Sequence, residues 1–264
     1  MKIILKRVHQ LSIAEREQLE LLIYRYYQSA SPQFISDRLE KDYGYDIVML
    51  KKGDLIQGVN FYHLSKHKDG RWNRTNYILH FGQVMKRNDY RGNIIWTLGS
   101  WYARNKIGRA YLLQNVTGLA SFISPKAFEH FTLLFPRHHY KLKTEREKSI
   151  RHFIVDYFNR TRGMSLHYNS DFCFDSPDLD QEDITKDWEK VYRAKDENIN
   201  QFFIDSGIIK QESGRIYKMP RHITVCGIHR PIPFHKQLNL PSTIASKRVE
   251  LINRESIWQP QKAS

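Results

Sequence analysis

Residues 74–96, RTNYILHFGQVMKRNDYRGNIIW, bring an imidazole, a run of cations and a turn into a helix within one short stretch. Lys86, Arg87 and Arg91 place positive charge in a loop between an apolar strand and a helix that starts near Ile94. The amides at the start of a helix, the helix dipole and neighbouring cations together favour an anion, usually phosphate. His80 sits inside the strand, and an imidazole near its ordinary pKa of ~6.5 can accept a proton at neutral pH. A single His in a strand is more often a packed core residue, so the two readings stand side by side.

The elements that must position these groups follow from the pattern. Tyr77, Leu79, Phe81 and Gln83 alternate with Ile78, His80, Gly82 and Val84, which predicts a β-strand. From Ile94 the period changes, and Ile95, Leu98 and Tyr102 fall on one side of a helix that should end near Gly108.

The Tyr90-Arg91-Gly92-Asn93 turn, then a helix, a strand at 110–116 and a second helix opened by Ser124-Pro125, resembles the GNAT superfamily of N-acyltransferases. Upstream, Met1 to His9 is similar to the first strand of such a fold and Ser12 to Ser29 to its first helix. The resemblance covers roughly the first half of the chain. It implies an α/β (α+β) fold: a mixed, mostly antiparallel central sheet flanked by helices, with a C-terminal extension or large insertion. It also implies acyl-CoA or acetyl-CoA as donor, or an acyl-carrier protein, and an amine as acceptor. The turn would wrap the donor's pyrophosphate, giving Lys86, Arg91, Gly92 and Asn93 as its contacts. Strand backbone at Gln83, Val84 and Met85 would pair with the pantetheine arm. His80 would be the base, Asn115 would orient substrate, and Ser124 and His130 are weaker catalytic candidates.

The chain departs from that family in two places. Ile94 and Trp96 stand where the turn has small residues, and bulk there would obstruct close backbone approach by a phosphate. Phe131 occupies the position that often carries a general-acid Tyr, and it cannot donate a proton. Another group protonates the leaving thiolate, or the site is rebuilt, or the protein is a catalytically silent relative that binds a partner.

Composition bounds the alternatives. With 264 residues, 41% apolar and 13% aromatic, the chain suits a folded protein with one large core or two small ones. No apolar run approaches the ~20 residues needed to span a bilayer, and the opening MKIILKRVHQ interrupts its apolar stretch with charge, so a cytoplasmic protein is expected. Only Cys173 and Cys226 occur, without CxxC, which argues against disulfides and cysteine zinc sites. His138-His139 is the closest histidine pair, but neighbours diverge on a strand or helix, and no metal is expected. Walker, GxSxG and GxGxxG patterns are all missing.

The net charge of +14 implies an anionic partner. Besides coenzyme A, nucleic acid is an alternative, with Arg71, Trp72, Arg74 and Lys141 to Arg151 as contact surface. Trp72 falls in a hairpin tip, His67 to Arg74, turned at Asp69-Gly70.

Elsewhere Ser12-Ile13-Ala14-Glu15 fits a capping box, Pro32 to Asp42 a short helix, and 46–51 and 55–64 a hairpin joined at Lys52-Gly53-Asp54. Ile150, Phe153, Ile154, Tyr157 and Phe158 form one apolar stripe on a helix from Thr144 to Arg162. Six acids within 171–183 need compensation by a metal, a cationic amine or, most simply, solvent and the start of a helix at Ile184 to Ser206. Ile208 to Met219 and His222 to Ile228 read as the last two strands of the sheet. The expected domain is 1–230 with 121–183 as an insertion, followed by a surface arm at 231–264.

Overall fold

The computed structural model describes residues 1–40, 44–69, 74–87, 89–90, 92–108, 115–135, 137–162, 166–176 and 179–229. Met1–His229 forms one compact unit. The arm expected at 231–264 and the hairpin tip around Trp72 lie outside the described residues.

β1 (Lys2–Lys6) is followed by a helical turn at Val8–Gln10, then α1 (Ile13–Tyr26) and α2 (Pro32–Leu39). Both helices start at a serine: Ser12 Oγ accepts from Glu15 N, and Ser31 Oγ accepts from Phe34 N. Glu15 returns a bond to Ser12 N, completing the expected capping box, and also pairs with Lys6 and Lys51. Next come β2 (Asp46–Lys52), β3 (Leu55–Asp69), β4 (Arg74–Lys86), α3 (Ile94–Ile107), β5 (Asn115–Phe122), α4 (Pro125–Leu134) and β6 (Arg137–His139). α3 stops at Gly108, whose φ of +101° lies in the region glycine tolerates. The expected strand at 110–116 runs later, as β5, and residues 109–114 lie outside the described set.

The main sheet has the order β1-β2-β3-β4-β5, then β12 (Arg221–His229), β8 (Cys173–Asp175) and β7 (Tyr168–Ser170), with β6 also on β12. All its pairings are antiparallel except β4 with β5, the pair that α3 crosses between. This is the mixed, mostly antiparallel sheet with flanking helices that the sequence led us to expect. Successive β2 residues serve opposite faces: Ile47 and Met49 pack with α1 and α2, while Val48 and Leu50 pack with α3 and α4.

Strict alternation fails along β4. Asn60 pairs with Val84 but Tyr62 with Phe81, so β4 spends three steps where β3 spends two. One extra residue at Gly82–Gln83 makes a bulge and exchanges the faces beyond it. Phe81 therefore joins the α3 side, while Met85 joins the α1 and α2 side.

Two expectations for the C-terminal half are corrected. Only β12 of the supposed final strand pair enters the main sheet. Residues 208–219 instead supply β10 (Ile209–Glu212) and β11 (Arg215–Lys218), a hairpin turned at Ser213-Gly214 that pairs with β9 (Glu182–Asp183) in a separate three-stranded sheet. Both turn residues adopt positive φ, which ties that hairpin to itself. The long helix expected at 184–206 is broken into a π-helical turn at Trp188–Tyr192 and α6 (Glu197–Asp205). The break is fastened by Asn200, whose amide bonds both Ala194 N and Ala194 O, and by Glu129, which accepts from Lys195 N and Asp196 N. α5 (Glu145–Arg162) forms as expected.

Candidate active site

β4 and β5 run paired only from Asn76–Asn115 to Phe81–Ala120. Beyond that point β4 continues to Lys86 on β3 alone, and β5 continues to Phe122 on β12 alone. The strands part there, leaving the β5-facing edge of residues 82–86 without a strand among the described residues to receive its backbone groups, although the Lys86 carbonyl accepts from the Tyr26 hydroxyl at 2.9 Å. Gln83, Val84 and Met85 all lie on this edge. The Gln83 Oε1 atom is buried and has no hydrogen-bond partner among the described residues.

Below the fork lies a wall of rings. Phe131 is fully buried, with its ring 5.6 Å from that of Phe81 and 5.3 Å from that of Phe122. Phe135 lies over Gly118 and Gly227, which face each other on β5 and β12; a Cβ on either would come within 2.4 Å of it. Position 131 thus carries packing and offers no proton.

At the open end of the fork stand the N-terminus of α3 and a group of cations. The Asn93 carbonyl accepts from Thr97 N and Thr97 Oγ1, so the amides of residues 94–96 have no acceptor within the helix. The side chain of Ile94 does not stand in the turn as its bulk suggested. It is buried over Gly58, with its Cδ1 2.2 Å from where a Cβ would sit. Tyr90 folds its ring over Gly92, where a Cβ would lie 2.2 Å from the tyrosine hydroxyl. Arg91 and the side chain of Trp96 lie outside the described residues.

Lys86 Nζ donates to the Gly92 carbonyl at 3.4 Å. Burial, helped by the charge of Lys126, pushes the Lys86 ammonium below its usual range. His130 is lowered too, first by burial and then by Lys126, Lys86 and Lys195, with Glu129 opposing. Lys126, in the first turn of α4, is held by the Lys190 carbonyl at 2.7 Å. Lys86 and Lys126 repel one another, and an anion between them would relieve that repulsion.

His80 lies on the other side of the sheet from the ring wall. It is 3% exposed, with Nδ1 hydrogen-bonded to the Tyr45 hydroxyl at 2.9 Å. Directly across on β3 is His63, with Nδ1 hydrogen-bonded to the Tyr157 hydroxyl of α5 at 2.7 Å. Tyr157 and Phe158 stand edge-on to His80, with centroids 5.8 and 4.8 Å away. Tyr45 also overhangs Gly82, the first residue past the last β4–β5 pair: a Cβ there would lie 3.1 Å from its ring. The sequence reading singled out His80 but missed Tyr45 and His63, and took Tyr157 only as part of an apolar stripe. Extending the hairpin register back from Asp69–Arg74 would have set His63 opposite His80.

The other site expectations scatter. Ser124 caps α4 by accepting from Ala127 N, and Asn115 opens β5 opposite Asn76, five residues before the fork. Its side chain lies outside the described set. The acids of 171–183 are answered chiefly by cations of β11 and β12, not by a helix start. Asp175 pairs with Arg221, Glu182 with Lys218 and Asp183 with Arg215. Among the described residues no group of three or more His, Cys, Asp or Glu could hold a metal ion, and no helix is long and apolar enough to cross a membrane. Cys173 and Cys226 are free thiols, and burial pushes that of Cys226 up to about 12. On the basic surface considered for nucleic acid, Lys141 lies over the Phe202 ring, Lys148 pairs with Glu145, and Arg151 donates to the Asp171 carbonyl. Arg71, Trp72 and the Arg74 side chain lie outside the described residues.

Strand order, the single parallel junction and the fork beyond Phe81 define a mixed α/β protein with a mostly antiparallel central sheet flanked by helices. No family model and no curated protein matches the chain. Among solved structures it is similar to an aminoglycoside 6'-N-acetyltransferase complexed with coenzyme A, at 11% identity over 87% of this chain and 99% of that one, with a TM-score of 0.35. It is also similar to Escherichia coli ElaA, at 12% identity over 55% and 90%, TM-score 0.34. An acyl-CoA N-acyltransferase from Pseudomonas aeruginosa gives 15% over 51% and 86%, TM-score 0.33.

Proposed function

We propose that this protein is an N-acyltransferase that moves an acyl group from acyl-CoA to an amine. The observation that carries this reading is the fork. A strand edge at 82–85 that no described strand pairs leads directly to a helix N-terminus beside Lys86, whose Nζ reaches the Gly92 carbonyl, with Lys126 of α4 near enough to act on its charge. A donor with an amide-bearing arm and a diphosphate matches both parts. Gln83, Val84 and Met85 would take the arm, Gln83 Oε1 gaining the partner it lacks among the described residues. Lys86, Gly92, Asn93 and the first amides of α3 would take the diphosphate, with Lys126 adding charge.

His80 is the proposed base. In this role Nδ1 donates to the Tyr45 oxygen and Nε2 takes a proton from the attacking amine. Tyr45 would fix the tautomer and hold the ring beside Gly82 at the crotch of the fork.

Titration with acetyl-CoA, followed by thermal unfolding, tests the donor. Saturation at a hundred times Kd adds about 2.7 kcal/mol of stability, readily seen as a rise in Tm. An unchanged Tm with acetyl-CoA and with long-chain acyl-CoA would remove this reading.

A further inference from the structure

Amide formation from a thioester needs two proton movements. The amine nitrogen bonds to the acyl carbon, the carbon–sulfur bond breaks with its electron pair on sulfur, nitrogen gives up a proton and sulfur gains one. His80 accounts for the first proton only. Among the described residues, the ring wall below the fork at Phe81, Phe122, Phe131 and Phe135 has no hydroxyl to supply the second.

We propose that Tyr157, on the helix α5 that follows the short strand β6, donates the proton to the leaving sulfur, and that His63 recharges it. This rests on the acyltransfer reading and extends it to two residues whose spacing alone carries no chemical signal.

Three features support the assignment. The His63–Tyr157 bond of 2.7 Å joins residues 94 positions apart, and it stands beside a second bond of the same kind between His80 and Tyr45. His63 and His80 are direct cross-strand partners, so the two proton-carrying pairs are one strand spacing apart. Their exposure also differs in the way the two tasks require. Tyr157 and His80 are buried, whereas His63 is half-buried and reaches solvent, from which a proton can be restored. In the step proposed, the Tyr157 proton passes to sulfur, and the phenolate then takes the Nδ1 proton of His63 as solvent delivers a proton to its Nε2.

A plain packing role is the competing explanation, and a pair of substitutions at one position separates the two. Tyr157→Phe keeps the ring and loses the hydroxyl, while Tyr157→Leu loses both. The assay follows thiol release from acetyl-CoA with a panel of primary amines (ethylamine, spermidine and a lysine-containing peptide), alongside acetyl-CoA binding by calorimetry. If Tyr157 is the donor, Tyr157→Phe lowers kcat about 100-fold with unchanged acetyl-CoA affinity, and Tyr157→Leu is no worse in kcat. His63→Gln should lower kcat in the same direction, again without loss of affinity. Full kcat in Tyr157→Phe with loss only in Tyr157→Leu would overturn the inference and leave the acyltransfer reading standing. Failure of the unsubstituted protein to bind acetyl-CoA or release thiol would overturn both.

Discussion

His63 and His80 face each other across β3 and β4, and each is bonded through Nδ1 to a tyrosine hydroxyl brought in from outside the strand pair. Tyr45 precedes β2, and Tyr157 comes from a helix 94 residues beyond His63. His80→Asn should therefore reduce acetyl transfer by about 100-fold or more while leaving acetyl-CoA affinity within twofold, as expected for losing a base rather than a binding contact. Calorimetry beside a thiol-release assay checks it, and a parallel loss of affinity would count against His80 as base.

Lys86 and Lys126 are expected to act on affinity instead. Lys86→Met and Lys126→Met should each weaken acetyl-CoA binding about tenfold, and each should flatten its dependence on salt. Titrations at two ionic strengths would show this. Equal affinity in both variants would move the diphosphate elsewhere.

Glu15 couples stability to pH. Burial disfavours its charged form, but hydrogen bonds from Lys6, Ser12 N and Lys51 outweigh that and bring the carboxyl from 4.5 to about 2. A lowered folded value means stabilisation that is present above the unfolded pKa and is lost as pH falls from about 4.5 towards 2. The gap corresponds to about 3 kcal/mol. Glu15→Gln should lower stability at pH 7 and remove most of this contribution to the acid limb in denaturant melts. A variant whose acid limb matches the parent would refute the assignment.

Gly227 has no room for a side chain, because its Cβ would lie 2.4 Å from the Cβ of Phe135, close to the backbone of α4. At Gly118 the nearest atom is the far end of the same ring. Gly227→Ala is expected to cost about 1–3 kcal/mol, more than Gly118→Ala, and Phe135→Leu should relieve only the latter. Chemical denaturation of the variants and the doubles decides it.

Lys218 and Glu182 form a buried pair at 2.6 Å that joins the small sheet to the α1–α2 connection, where Ser29 bonds Glu182 and the Tyr26 carbonyl accepts from Lys218. Lys218→Met leaves the carboxylate uncompensated and should cost about 3–5 kcal/mol, whereas Lys218→Met with Glu182→Gln should cost markedly less. Equal losses in the single and the double would mean that the pair contributes by packing alone.

Local chemistry was well inscribed in the sequence. The serine caps of α1 and α2, the Gly108 stop and the strand leading into the 86–93 turn follow from side chains acting on their own neighbourhood. What could not be read depends on partners far along the chain. The bulge in β4 depends on β3, the cations answering the 171–183 acids come from β11 and β12, and Tyr157 meets His63 only because α5 folds back across the sheet. A stripe of apolar spacing tells which side of a helix turns inward. It does not tell which hydroxyl on that side will find an imidazole.

The extra residue in β4 gives its two ends opposite parity. Deleting Gln83 would leave the strand nearly as long and would take out the extra residue itself, so Val84 would still face Asn60 and Met85 would still face Val59. Met85 would stay in the α1 and α2 core, and what would be lost is the local bend of the strand at the fork. A single codon lost here should therefore disturb the core less than one lost from the regular ladder of β2, where it would turn every later side chain to the other face.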